Sequence, residues 1–378
     1  MRNVKWIFPV LSVLLCAVCA SAPAENGALA SDIGSGDAEI LAVLSAARAQ
    51  FEVPAMAAAI VTSRGIQAAA VLGTRKWGTD TPVTLKDLWH LGSDTKIMTS
   101  TLAAVLIDQG KLSWTSTVSD IFPEMAPRFD KGFRKVTLLQ LLSHQAGLPA
   151  NLDYGSLGSG SVTDLRLRVV SLAMRDAPVS PPGTQYLYSN VGYIIAGAMV
   201  ERASGLDWET AMTRFVFAPL GMGSAGYGGL GTPGTIDQPW GHTKARSPVP
   251  FNGPDADNPP VLGPAGRVHC TIQDWAVFIA DQLKGARGEP ALLKPQDYAI
   301  LQNPHFGGAY ALGWLVQERS WAGGKALTHT GSNTFHLAVA WVAPAKDFAI
   351  LVCTNEGLDS AGAADKVTSD IIVNVVKP

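Results

Sequence analysis

With 378 residues, 47% of them apolar and only 16% charged, the chain has enough apolar material for a sizeable core and falls outside the disordered and fibrous classes. Its 29 basic and 31 acidic residues leave a net charge of −2, without a basic patch that would call for nucleic acid as a partner.

Residues 1–24 read as a secretory signal: Arg2 and Lys5 precede an apolar stretch, and Ala22-Pro23-Ala24 offers small residues for cleavage before Glu25. The apolar run is shorter than the ~20 residues a membrane span needs. Neither Cys16 nor Cys19 follows the lipoprotein pattern, so no stable anchor is expected after cleavage, and the expected address is periplasmic or secreted. Cleavage leaves Cys270 and Cys353, and one pair makes no disulfide framework.

Residues 37–51 carry Ile40, Leu41, Leu44 and Ala47 on one helical stripe, and two strand-like runs, 57–62 and 67–72, are joined by the turn Ser63-Arg64-Gly65. Next comes Leu91-Gly92-Ser93-Asp94-Thr95-Lys96, where Met98, Leu102, Val105 and Leu106 predict a buried helix from about Ser93 to Gly110. Helices follow over 138–142, 164–174, 191–203 and 207–217. Thr271-Ile272-Gln273-Asp274 reads as a capping box opening a helix that buries Trp275, Phe278, Ile279 and Leu283. The Gly- and Pro-rich stretch 221–266 lacks periodicity, and a loop that long is expected beside a substrate site. Strands at 311–316, 336–342 and 348–354 and a helix over 361–376 close the chain, with Cys353 in the core.

Strands at both ends and helices between them predict an α/β (α+β) fold. A largely antiparallel sheet built from both termini (25–92 and 307–378) is flanked by helices, with a mainly helical portion (93–306) inserted. Ser93 falls where the strands hand over to the helices, a favoured place for a ligand site.

Three short motifs carry chemistry. Ser93 and Lys96, three apart on a helix, share a face, and a lysine desolvated beside an apolar helix can take a serine proton. Tyr188-Ser189-Asn190 follows the turn Pro181-Pro182-Gly183-Thr184 and supplies a phenol to shuttle a proton and an amide to hold a carbonyl. His329-Thr330-Gly331 follows the turn Trp321-Ala322-Gly323-Gly324 and offers a backbone edge for one wall of a site. The plainer alternatives are an N-cap serine with a solvated lysine, a simple turn, and a structural strand-edge histidine. Each motif occurs once in the chain.

In these motifs the sequence resembles the serine β-lactamase and penicillin-binding-protein superfamily, in the class C-like branch that includes D,D-peptidases, D-aminopeptidases and carboxylesterases. Leu138-Leu139-Gln140-Leu141-Leu142-Ser143-His144-Gln145-Ala146-Gly147-Leu148-Pro149, Phe217-Ala218-Pro219-Leu220-Gly221-Met222, Gly263-Pro264-Ala265-Gly266 and Tyr310-Ala311-Leu312-Gly313-Trp314 extend the likeness. The resemblance implies that Ser93 is acylated, Lys96 holds its proton, Tyr188 passes protons and Asn190 orients the substrate carbonyl. It further implies an oxyanion hole from the N–H groups of Ser93 and Ser332, with Asn151 as a substrate-contacting amide. No cofactor is implied, and the seven histidines show no metal-ligand spacing.

True class C enzymes usually carry Lys where this chain has His329. A histidine near pKa ~6.5 is charged only in acid, so recognition of an anionic substrate is expected to weaken as pH rises. The reading is an exported serine hydrolase acting on small esters, peptides or amides through an acyl-enzyme. The alternatives are a class C-type β-lactamase proper and a catalytically silent binder of β-lactams or wall fragments. An α/β-hydrolase is disfavoured because no Gly-x-Ser-x-Gly elbow occurs.

Overall fold

The computed structural model describes residues 34–249 and 256–378; the signal-like segment 1–24 lies outside them. The twelve described strands are β1 (Gly34–Gly36), β2 (Ala55–Thr62), β3 (Gly65–Gly73), β4 (Leu88–His90), β5 (Gly226–Tyr227), β6 (Gly241–Thr243), β7 (Ser247–Val249), β8 (Val268–Thr271), β9 (Leu315–Arg319), β10 (Gly324–Ser332), β11 (Leu337–Ala343) and β12 (Phe348–Thr354). Seven of them form one sheet in the order β1-β3-β2-β12-β11-β10-β9, and every pairing in it is antiparallel. The two chain ends meet at β2 and β12, where Ala57 pairs with Cys353 and Ala59 with Leu351.

The period of two along β2 explains why both faces are covered. Met56, Ala58 and Ile60 point to one side, where they pack with Ile40, Leu44, Val339, Val352 and Val367 beneath the Ala38–Phe51 and Ala361–Asp370 helices. Ala57, Ala59 and Val61 point to the other, into the larger core with Met98, Leu102, Trp275 and Phe278. With water excluded from both faces, β12 is buried at all seven positions and reads as a continuous apolar run.

Asp37 caps the Ala38–Phe51 helix, accepting from the N–H of Glu39 at 3.0 Å and of Ile40 at 3.2 Å. The capping box expected at residue 271 is only half made. Thr271 accepts from the Asp274 N–H, but the Asp274 carboxylate turns instead to the Ser224 hydroxyl at 2.6 Å. The strand expected at 311–316 begins only at Leu315. Gly313, at φ +94°, lies so close to the Ser93-bearing helix that an added Cβ would sit 2.8 Å from the Ile97 nitrogen, and this segment packs instead of pairing.

Trp275 is fully buried on the Ile272–Ala286 helix, which packs on β2, β3 and β12 and carries none of the three motifs. Truncating a buried Trp costs ~3–5 kcal/mol. At an unfolding entropy of about 2.1 cal/mol/K per residue, Trp275→Ala is therefore expected to lower Tm by roughly 4–7 °C. The activity of each folded molecule should be unchanged, measured as turnover per active-site equivalent; a stable variant without turnover would place this helix in the site.

Candidate active site

β4 pairs with β8, and the Leu91 N–H continues the ladder to the Val268 carbonyl at 2.9 Å. The chain then turns sharply through Gly92–Asp94 into the Thr95–Asp108 helix. Gly92 sits at φ +50°, in the left-handed region. A Cβ there would stand 2.2 Å from the Ser332 nitrogen, and one on Gly331 would stand 2.1 Å from the Leu91 carbonyl oxygen and 2.7 Å from the Ser93 nitrogen. Two glycines facing each other thus let the turn and the end of β10 approach backbone to backbone.

β10 can make this approach because one of its edges is uncovered. β9 pairs with β10 only as far as Thr328, whereas β11 continues to Ser332. His329, Gly331 and Ser332 therefore lie on a strand that ends beside the Gly92–Asp94 turn. His329-Thr330-Gly331, expected between a turn and a later strand, is part of β10 through its pairing with β11. His329 is buried, whereas the Thr330 side chain is exposed.

Lys96 is wholly buried, and its Nζ lies 3.1 Å from Ser93 Oγ and donates to the Ala265 carbonyl at 2.6 Å. Ala265 belongs to Gly263–Gly266, so the long segment expected near a substrate does reach the site at this end. Burial pushes the Lys96 ammonium well below its usual pKa, against the opposing pull of Asp94. Asp94 is equally buried, and loss of water raises its carboxyl well above the usual range. Burial thus disfavours the charged form of each, which moves Lys96 toward the form that can accept a proton.

Tyr188 enters from the segment before the Asn190–Ser204 helix, its hydroxyl facing Ser93 and its ring centroid 4.9 Å from Lys96 Nζ. Burial raises its pKa, so the phenol keeps its proton. The Asn190 amide donates to Asn151 Oδ1 at 2.9 Å, and the Tyr154 hydroxyl lies 3.3 Å from the same oxygen. Ser93, Lys96, Tyr188, His329, Gly331 and Ser332 therefore surround one point, with Asn190 and Asn151 joined beside Tyr188.

His144 belongs to the segment ahead of Pro149, where the sequence attaches no role to it. Its ring lies 4.4 Å from that of Tyr188 and 4.6 Å from that of Tyr310, and its Nδ1 accepts from the Ser189 N–H at 3.0 Å. It thereby seats the residue next to Tyr188. A buried His at φ +60° is a signal the torsions carry and the letters do not.

The expected behaviour of His329 is corrected. Burial first, and the Lys96 charge second, push its pKa down to about 3, and its Nδ1 lies 3.7 Å from Asp94 Oδ1. A ring with that pKa stays neutral from about pH 5 to 8. The ratio of kcat/KM for paired anionic and neutral substrates is expected to be flat over that window, because titration of the shared catalytic groups largely cancels in it. A ratio falling about tenfold through pH ~6.5 would mean that solvent reaches the ring. The same depressed pKa bears on stability. Between about 3 and 6.5 the unfolded ring binds the proton and the native ring does not, so this group's contribution is complete above pH 6.5 and declines as pH falls toward 3.

A cavity of about 520 Å³ lined by Arg287, Tyr298, Gln302, Lys325 and Pro344 contains none of these groups; the arrangement of side chains marks the site, not concavity. Among the described residues no group of His, Cys, Asp and Glu is placed to hold a metal ion, and no helix is long and apolar enough to cross a membrane.

Comparison with known proteins matches the Beta-lactamase family model to residues 42–370. The chain is 27% identical over 338 residues to penicillin-binding protein 4 of Amycolatopsis lactamdurans, covering 85% of both chains. It is 27% identical to the unguisins hydrolase of Aspergillus campestris over 75% of this chain and 56% of that one. Among solved structures, a D-alanine carboxypeptidase from Burkholderia cenocepacia superposes with a TM-score of 0.69 at 22% identity, over 88% of this chain and 98% of the other, which shows the fold.

Proposed function

This chain belongs to the β-lactamase family of serine hydrolases, and from that premise we propose that it hydrolyses small esters, peptides or amides through an acyl-enzyme on Ser93. The observation that carries the reading is a lysine with its pKa lowered by burial, 3.1 Å from the serine oxygen. Lys96 takes the Ser93 proton as Oγ attacks the substrate carbonyl carbon. The N–H groups of Ser93 and Ser332 hold the tetrahedral oxyanion, and Asn190 with Asn151 orients the carbonyl side of the substrate. As the acyl–heteroatom bond breaks, Tyr188 hands a proton to the leaving oxygen or nitrogen and is reprotonated through Lys96. Water then attacks the ester on Ser93, and its proton returns by the same groups.

A neutral His329 supplies no fixed positive charge for a substrate carboxylate, which favours neutral esters and N-terminal D-amino-acid amides over β-lactams. Relatives named for binding penicillin and for hydrolysing unguisins support an acyl-transfer substrate of small size. Retention of both Lys96 and Tyr188 favours an enzyme over a silent binder. The signal-like residues 1–24 support export to the periplasm or medium.

The test is covalent capture. A fluorophosphonate is expected to add one equivalent of mass, mapped to the peptide containing Ser93, and to abolish turnover in parallel. An unlabelled protein, or an adduct on another residue, would overturn the reading. Nitrophenyl esters, D-alanyl peptides and a chromogenic cephalosporin compared side by side should give the highest kcat/KM for one of the first two.

A further inference from the structure

The proposed oxyanion hole joins two segments far apart in the chain, and a second buried network ties them together away from the reacting groups. The Gly92 N–H, one residue before Ser93, donates to His90 Nδ1 at 3.0 Å. Because Nδ1 accepts, the neutral imidazole carries its proton on Nε2. Asp257 Oδ1 lies 2.9 Å from that Nε2. The same carboxylate oxygen accepts from the Asn333 amide at 3.2 Å, and its other oxygen accepts from Arg267 Nε at 3.0 Å.

Asn333 follows Ser332 directly. Its own Oδ1 accepts from the N–H groups of Phe335 at 3.2 Å and His336 at 3.0 Å. Between them Thr334 is held at φ +86°, a backbone state a β-branched residue rarely adopts and keeps only when its surroundings impose it. The His90 and Asn333 side chains are almost wholly buried, and the Asp257 side chain is 10% exposed. One carboxylate therefore reaches, through His90, the residue before the first proposed N–H donor and, through Asn333, the residue after the second.

We propose that His90, Asp257 and Asn333 are positioning residues that set the separation and aim of the Ser93 and Ser332 N–H groups. Asp257, on the long Gly- and Pro-rich segment, acts as the clamp between them. This role rests on the acyl-enzyme reading. It gives the long segment a second function beside presenting the Ala265 carbonyl to Lys96: seating Asp257 couples that segment to the chemical step.

The experiment compares Asp257→Ala, Asp257→Asn, His90→Asn and His90→Gln with wild type, using kcat and KM on the best nitrophenyl ester, the fluorophosphonate labelling rate, and Tm. Complete removal of an oxyanion donor costs ~10²–10³-fold in kcat, and misaiming two donors forfeits part of that. Asp257→Ala is expected to lose ~10- to 100-fold in kcat and in labelling rate, with KM within about threefold. Asp257→Asn keeps the side-chain shape and one acceptor oxygen, so it should retain more.

The His90 pair cuts the path at its two ends: Asn places an acceptor near the old Nδ1 and holds the Gly92 N–H without reaching Asp257, whereas Gln extends toward Asp257 and leaves Gly92 unpaired, so both should lose part of kcat and neither more than Asp257→Ala. If Asp257→Ala fails to fold, the His90 pair and Asp257→Asn carry the test. A labelled wild type beside folded variants with unchanged kcat, or with losses in Tm or KM alone, overturns the positioning role. A wild type that is neither labelled nor active overturns the acyl-enzyme reading itself, and the clamp with it.

Discussion

Lys96→Ala is expected to reduce acylation by ~10²–10⁴-fold, the usual range for a positioned general base, while the protein still folds. Ser93→Ala should fall to the background of substrate binding without covalent capture. The buried Nζ hydrogen-bonds Ser93 Oγ and the Ala265 carbonyl, which poises Lys96 to take the Ser93 proton. Groups that act on one proton are non-additive when removed. The double variant Ser93→Ala/Lys96→Ala should accordingly match Ser93→Ala within about threefold. Single-turnover kinetics and intact mass on the four proteins form the cycle. If the two losses multiply, the residues work on separate steps and the shared proton path is wrong.

Gly331→Ala should damage both turnover and stability. The new Cβ would lie 2.1 Å from the Leu91 carbonyl oxygen and 2.7 Å from the Ser93 and Asp94 nitrogens, all backbone atoms. That turn is pinned by the Leu91 N–H to Val268 and the Asp94 N–H to Leu91, so it cannot yield as a flexible side-chain tip would. Relief requires β10 and the Gly92–Asp94 turn to separate, which spreads the Ser93 and Ser332 N–H groups. A loss of ~10²–10³-fold in kcat is expected from the oxyanion term alone, with ~1–3 kcal/mol of stability from overpacking. Gly223→Ala, whose Cβ meets nothing within 4 Å, is the matched control and should be neutral. Wild-type turnover in Gly331→Ala would mean that the oxyanion is not held between these two segments.

What the sequence by itself determined is whatever rests on short-range geometry. Apolar spacing marks the Thr95–Asp108 helix, and once the turn before it is helical, bond geometry alone places Ser93 and Lys96 on one face. Apolar runs bounded by turn residues likewise mark β2, β3 and β12, and a largely antiparallel sheet from both termini follows from them. The motif Tyr188-Ser189-Asn190 was legible as a set of functional groups, though not as a neighbour of Ser93.

Only the tertiary structure decided the quantities that sum over many distant contacts. The burial that lowers Lys96 and His329 comes from elements scattered along the chain, so a histidine read as near pKa ~6.5 becomes a neutral ring at about 3. The strand through His329 was missed because β10 is defined by pairing with β9 and β11, which local pattern does not encode. His144, His90 and Asp257 stand in ordinary letters with no motif around them. Their positions follow from where the long segment and the strand ends are seated, and desolvation and hydrogen-bond direction at those positions exist only once the chain has closed on itself.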